Sequence, residues 1–118
     1  FISLQYGDDT QEITNVNQSP GIELIKANGI DPLKEIDSFA QLIASLDLII
    51  TIDNSTAHLA GALGIETWLL LPQGADWRWF NREKNTPWYA SIELFRQQQI
   101  NQWEPVITLI ANKIKAYK

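Results

Sequence analysis

The sequence predicts an α/β fold, a parallel sheet of about five strands with flanking helices, on three observations. Short apolar, β-branched runs recur along the 118 residues. Segments with apolar residues three and four apart lie between several of them. Turn-forming Gly, Pro, Asn and Asp punctuate the boundaries, and strands alternating with helices mean a doubly wound parallel sheet.

The clearest unit is residues 46–64, LDLIITIDNSTAHLAGALG. Leu48 to Ile52 form a nearly unbroken apolar run, the pattern of a strand covered on both faces. Asp53, Asn54, Ser55 and Thr56 follow, each able to cap a helix. The helix is rich in small residues, Ala57, Ala60, Gly61 and Ala62, which let it lie close to a sheet, and Gly64 suits its C-terminal cap.

In chain order, residues 1–5 read as the first strand, leading into a loop where Gly7 allows a positive φ or a close approach to a ligand. Residues 11–21 are polar and predict a short helical turn at most, and residues 22–25 (IELI) a second strand. Asn28-Gly29 and Asp31-Pro32 mark turns. Asp37 or Ser38 then caps a helix to about residue 45, with Phe39, Leu42, Ile43 and Leu46 on its apolar face. Residues 67–71 (TWLLL) predict the fourth strand, closed by Pro72. Residues 73–90 form a long aromatic loop, with a helical turn expected over 77–81, and residues 91–95 (SIELF) the fifth strand. The last helix covers 103–117, with Val106, Ile107, Ile110 and Ile114 on one face and Pro105 in its first turn.

Composition narrows the function classes. With 45% hydrophobic residues the chain is globular, and its length suits a single domain. The abrupt apolar start suggests a piece of a longer protein. No apolar run approaches the roughly 20 residues that span a bilayer, and no secretory leader is visible. The absence of cysteine excludes disulfides and thiolate chemistry and fits a reducing, cytoplasmic setting. A net charge of −5 argues against nucleic acid as a partner, while a local nest of amides can still receive a small anion.

The candidate site is the polar corner after the third strand, because open α/β sheets bind ligands at the carboxyl ends of their strands and helix N-termini attract phosphate. Asp53 can accept bonds from ligand hydroxyls or cap the helix, and Asn54, Ser55 and Thr56 can donate to a diphosphate or serve as caps. His58, the single histidine, lies in the first helical turn, where its ring can donate to a phosphate oxygen or be held structurally. One histidine with scattered carboxylates supports neither a triad nor a metal site, so no metal, cofactor or catalytic residue is assigned. Asn54-Ser55-Thr56 also matches a glycosylation sequon, discounted without signs of secretion. Asp8, Asp9 and Glu12, after the first strand, can bond a ribose or simply be solvated. Trp77, Arg78 and Trp79 suit packing or a stacking surface.

The motifs DLIITIDNSTAHLAGALG, TWLLLP, DWRWF, TPWY and LFRQ, with the opening FISLQYG, together resemble one family. It is the carboxyl-terminal half of heptosyltransferase-like glycosyltransferases, family nine, in the bacterial branch often fused to tetratricopeptide repeats. The resemblance covers most of the chain and is weakest over residues 8–35. It implies one Rossmann-like half of a GT-B fold, binding a nucleotide-diphosphate sugar without a bound metal. Asp53, Asn54, Ser55 and His58 then fall on the donor-binding elbow, with Asn54 where the family usually has threonine. Asp9 or Glu12 then matches a ribose-binding acid. The family's amino-terminal domain, which holds the acceptor and the general base, has no counterpart in these residues, so the chain alone is expected not to turn over. The alternative is a noncatalytic nucleotide or sugar-phosphate binding module. A receiver-type signalling domain fits poorly, since no lysine closely follows the fifth strand.

Overall fold

The computed structural model describes residues 1–80 and 84–117. They form two compact units, Phe1–Leu42 and Ile43–Lys118. Parallel strands alternate with helices in a Rossmann-like order, and the five strands belong to two parallel ladders.

In the first unit, β1 (Ile2–Ser3) pairs with β2 (Ile25–Lys26), Ile2 opposite Ile25 and Ser3 opposite Lys26. The second strand thus begins where residues 22–25 were expected to end. Between the two lies α1 (Thr10–Asn17), a full helix where the polar sequence predicts only a turn. It buries no residue, so no apolar face announces it. Side chains hold it instead. Asp8 Oδ1 accepts from the Thr10 amide, Gln11 donates to Asn15, and Thr14 Oγ1 donates to the Thr10 carbonyl. At its last residue, the Asn17 amide side chain both donates to and accepts from the backbone of Leu24. α2 (Ile36–Ala44) follows, with Phe39 and Ile43 buried.

The second unit holds β3 (Ile49–Ile52), α3 (Ser55–Ala62), β4 (Thr67–Leu71), a 3₁₀ turn at Trp77–Trp79, β5 (Ile92–Arg96) and α4 (Glu104–Lys115). Its ladder is parallel in the order β3-β4-β5. All of β4 is buried. Its alternation explains the unbroken TWLLL run: Leu69 and Leu71 pack with Ala57, Trp79, Ile92 and Leu94, while Trp68 and Leu70 pack with Phe95, Val106 and Ile110. One face is therefore covered by α3 and the aromatic loop, the other by α4.

β3 departs from the expected two-sided cover. Ile49 is buried, but Ile50 and Ile52 are 40% and 59% exposed. Register places them opposite Trp68 and Leu70, on the α4 face, at the edge of this ladder. α4 bears on that face through Val106 and Ile110, with Ile114 against them, whereas Ile107 is exposed, contrary to its expected place in the apolar face. Lys113 Nζ lies 4.7 Å from the Trp68 ring centre and pairs with Glu93. The expected turn over 77–81 is the 3₁₀ turn, its last expected residue lying outside the described ones.

Candidate functional site

The corner begins where β3 ends at Ile52. Asp53 is exposed, and Asn54, not Asp53, caps α3: in extended backbone, its side chain accepts from the Ala57 amide at 3.1 Å and from Thr51 Oγ1 at 3.3 Å. Among the described residues, the Ser55 and Thr56 amides have no hydrogen-bond partner. Such first-turn amides cannot be satisfied within the helix. At the other end the Ile65 amide donates to Ala60 and the Gly64 amide to Gly61, at 3.0 and 3.1 Å, with Gly64 at φ +72°. That is a Schellman closure, and it needs the left-handed backbone that glycine adopts readily.

His58 is partly buried one turn into α3. Its ring stacks on Trp79, centroids 5.0 Å apart at 27°, and meets Tyr89 edge-on. Nδ1 lies 3.1 Å from the Tyr89 hydroxyl oxygen. Trp79 is fully buried, its backbone carbonyl accepting from Arg96 Nη2. Burial pushes the Arg96 guanidinium down from its ordinary value.

Gly61 follows His58 by three residues on the same helix face. A Cβ there would lie 2.5 Å from Tyr89 Cγ and 2.9 Å from Ile92 Cδ1. The small residue expected to bring the helix close to the sheet thus admits the loop's tyrosine as well as a β5 side chain. Ala57 and Ala60 are buried as packing residues, while Ala62 is exposed and takes no part.

The aromatic loop supplies residues that composition did not single out. Asp76 caps the 3₁₀ turn, accepting from the Arg78 amide at 3.0 Å and its guanidinium at 2.8 Å. Those bonds hold the Asp76 carboxyl below the usual carboxylate range, the Arg78 amide first and the guanidinium next, with a smaller push from nearby His58. Arg78 also lies 4.8 Å over the exposed Trp77 ring, so Trp77-Arg78-Trp79 supplies both a cation–π pair and a packed core residue. Trp88 Nε1 donates to the Arg78 carbonyl. Tyr89 is the residue that sequence reasoning missed. A glycine inside a helix, followed in sequence by an aromatic loop, was the available signal.

In the first unit, Gly7 has the expected positive φ, +90°. Its carbonyl accepts from Lys26 Nζ at 2.6 Å. Asp9 is buried with both oxygens engaged, Oδ1 by Lys26 and Oδ2 by Ser3 Oγ at 2.5 Å. The Lys26 ammonium and then the Ser3 hydroxyl hold its carboxyl below the ordinary range. Asp8 shifts the same way through Thr10. Glu12 is exposed in the first turn of α1. The structure therefore gathers Asn54, Ser55, Thr56 and His58 at one corner of the second unit, and Gly7 and Asp9 around Lys26 in the first.

Two open depressions are lined by no elbow residue. One of about 340 Å³ includes Glu66, Ser91 and Glu93, and one of about 420 Å³ includes Trp103 and Thr108. No helix among the described residues is long and apolar enough to cross a membrane. No family model matches the chain, and no solved structure matches it. It is 34% identical over 117 residues, 99% of its own length, to Protein FlbA of Caulobacter vibrioides. The match spans 19% of FlbA, so the chain is related to one stretch of a much longer protein.

Proposed function

We propose that this chain is the donor-binding domain of a heptosyltransferase-like GT-B glycosyltransferase, holding a nucleotide-diphosphate sugar at the β3–α3 corner. The observation that carries this is the corner: two unpartnered first-turn amides, Ser55 and Thr56, beside a histidine held by two aromatic rings. A diphosphate there meets N–H donors aligned with the positive end of the helix. Developing negative charge on the leaving diphosphate is balanced by those donors and His58, without a bound metal.

Asp53, which is exposed, is the proposed acceptor of bonds from sugar hydroxyls. In the first unit both Asp9 oxygens are engaged within the unit itself, by Lys26 and Ser3. The acceptor and the general base belong to an amino-terminal domain outside these residues, so the chain by itself binds donor and does not transfer it. A noncatalytic module would use the same corner, and only the rest of the protein separates the two.

Titration of UDP, GDP, ADP and CDP into the isotopically labelled chain tests this. At least one nucleotide is expected to shift the amide resonances of residues 54–58. Unchanged resonances there with all four sink the proposal. Robust sugar transfer to an acceptor by the 118 residues alone would refute the division of labour.

A further inference from the structure

We infer that Tyr89 is a positioning residue that keeps a proton on His58 Nε2, so that the ring nitrogen it does not hold is always a donor. The inference deepens the donor-binding role proposed above and rests on it for the identity of the acceptor, a diphosphate oxygen.

A lone histidine beside a polar corner is ambiguous, because neutral imidazole carries its proton on either nitrogen. Here Nδ1 lies 3.1 Å from the Tyr89 hydroxyl oxygen. A phenol is the better donor of the pair and an imidazole nitrogen the better acceptor. The hydroxyl therefore donates to Nδ1, and the single proton of the neutral ring resides on Nε2. When the ring is cationic both nitrogens carry protons, and the hydroxyl oxygen accepts from Nδ1 instead. Nε2 is thus a hydrogen-bond donor in either charge state.

The rest of the cluster holds this pair in place. Trp79, fully buried, stacks on the imidazole and restricts its plane. Its carbonyl is tied to Arg96 at the end of β5. Gly61 clears the space for the Tyr89 ring, which no Cβ at that position would permit. A helix glycine, a loop tyrosine and a core tryptophan thus converge on one imidazole. Mere filling of the core would not need the tyrosine hydroxyl.

Tyr89→Phe keeps the ring against Gly61 and removes only the hydroxyl, so folding should survive, checked by the amide spectrum. The His58 ring nitrogens are read by ¹⁵N resonance position in the ligand-free chain at a pH where the ring is neutral. The wild type is expected to show Nε2 protonated and Nδ1 bare, and Tyr89→Phe a mixture of the two tautomers. Affinity for whichever of UDP, GDP, ADP or CDP binds most tightly should fall in Tyr89→Phe by the inverse of the fraction that keeps its proton on Nε2, about twofold for an even mixture. A wild-type ring protonated on Nδ1, or a tautomer and an affinity unchanged by Tyr89→Phe, overturns the assignment. If no nucleotide binds the wild type, the donor-binding role fails, and the tautomer readout alone still decides whether Tyr89 sets the proton.

Discussion

Asp9 illustrates how one side chain can look functional and be bound within its own fold. A carboxylate after the first strand, in a loop opened by Gly7, has the position of a ribose acceptor. Its oxygens instead receive Lys26 and Ser3, linking the loop to β1 and β2. The sign of its pH effect follows from the depressed carboxyl. The stabilisation is complete above the unfolded value of 3.8 and is lost as pH falls below it, through the folded value. Asp9→Asn is therefore expected to lower the urea midpoint at neutral pH, with the gap to the wild type narrowing below pH 3.8. Urea titrations of both chains across that range check this, and a gap independent of pH would exclude the ion pair as its source. Gly61 makes the complementary point. Its cost in a helix, about 1 kcal/mol against alanine, is a local fact. What offsets it, the Tyr89 ring, lies 28 positions along in sequence and belongs to a different element.

At the scale of elements, α3 is the informative case. Its start and stop were legible because capping chemistry is local: a run of four polar residues, Asp53 to Thr56, spans its start and Gly64 closes it. Which polar residue caps was not legible, since Asp53, Asn54, Ser55 and Thr56 are all competent. The structure selects Asn54, the residue whose extended backbone turns its side chain onto the Ala57 amide. Asn54→Ala is expected to cost about 1 kcal/mol, and Asn54→Asp, which keeps the accepting oxygen, much less. Denaturant unfolding of the two variants gives the ranking, and equal losses would show that the accepting oxygen is not the source of the cap's contribution. α1 shows the opposite limit. A helix without a buried face has no periodicity to read, and its side-chain bonds to its own backbone were invisible as a pattern.

At the scale of the molecule, burial is unevenly divided. The second unit holds both apolar clusters, centred on β4. In the first unit, by contrast, α1 buries no residue, and the ladder is two residues long on each strand. Opening free energies should follow that division. Native-state hydrogen exchange is expected to find the slowest amides in β4 and β5, with those of β1, α1 and β2 exchanging through openings of lower free energy. Equal protection of both sets would mean that the first unit is stabilised by more than its local bonds. The net charge of −5 leaves any anion site to work locally, through amides and individual side chains rather than through the overall field.

By itself the sequence determined the alternation of strands and helices, the strand over residues 67–71 and the polar corner before α3. Each depends on neighbours in the chain, on period, turn chemistry and capping, which adjacent residues supply. Only the tertiary structure decided that Ile50 and Ile52 lie open, that Ile107 faces outward, and that His58 is gripped by Trp79 and Tyr89. Those outcomes depend on which distant segment lands on a given face. No local period encodes that, because it is settled when the whole set of apolar and polar surfaces is matched at once.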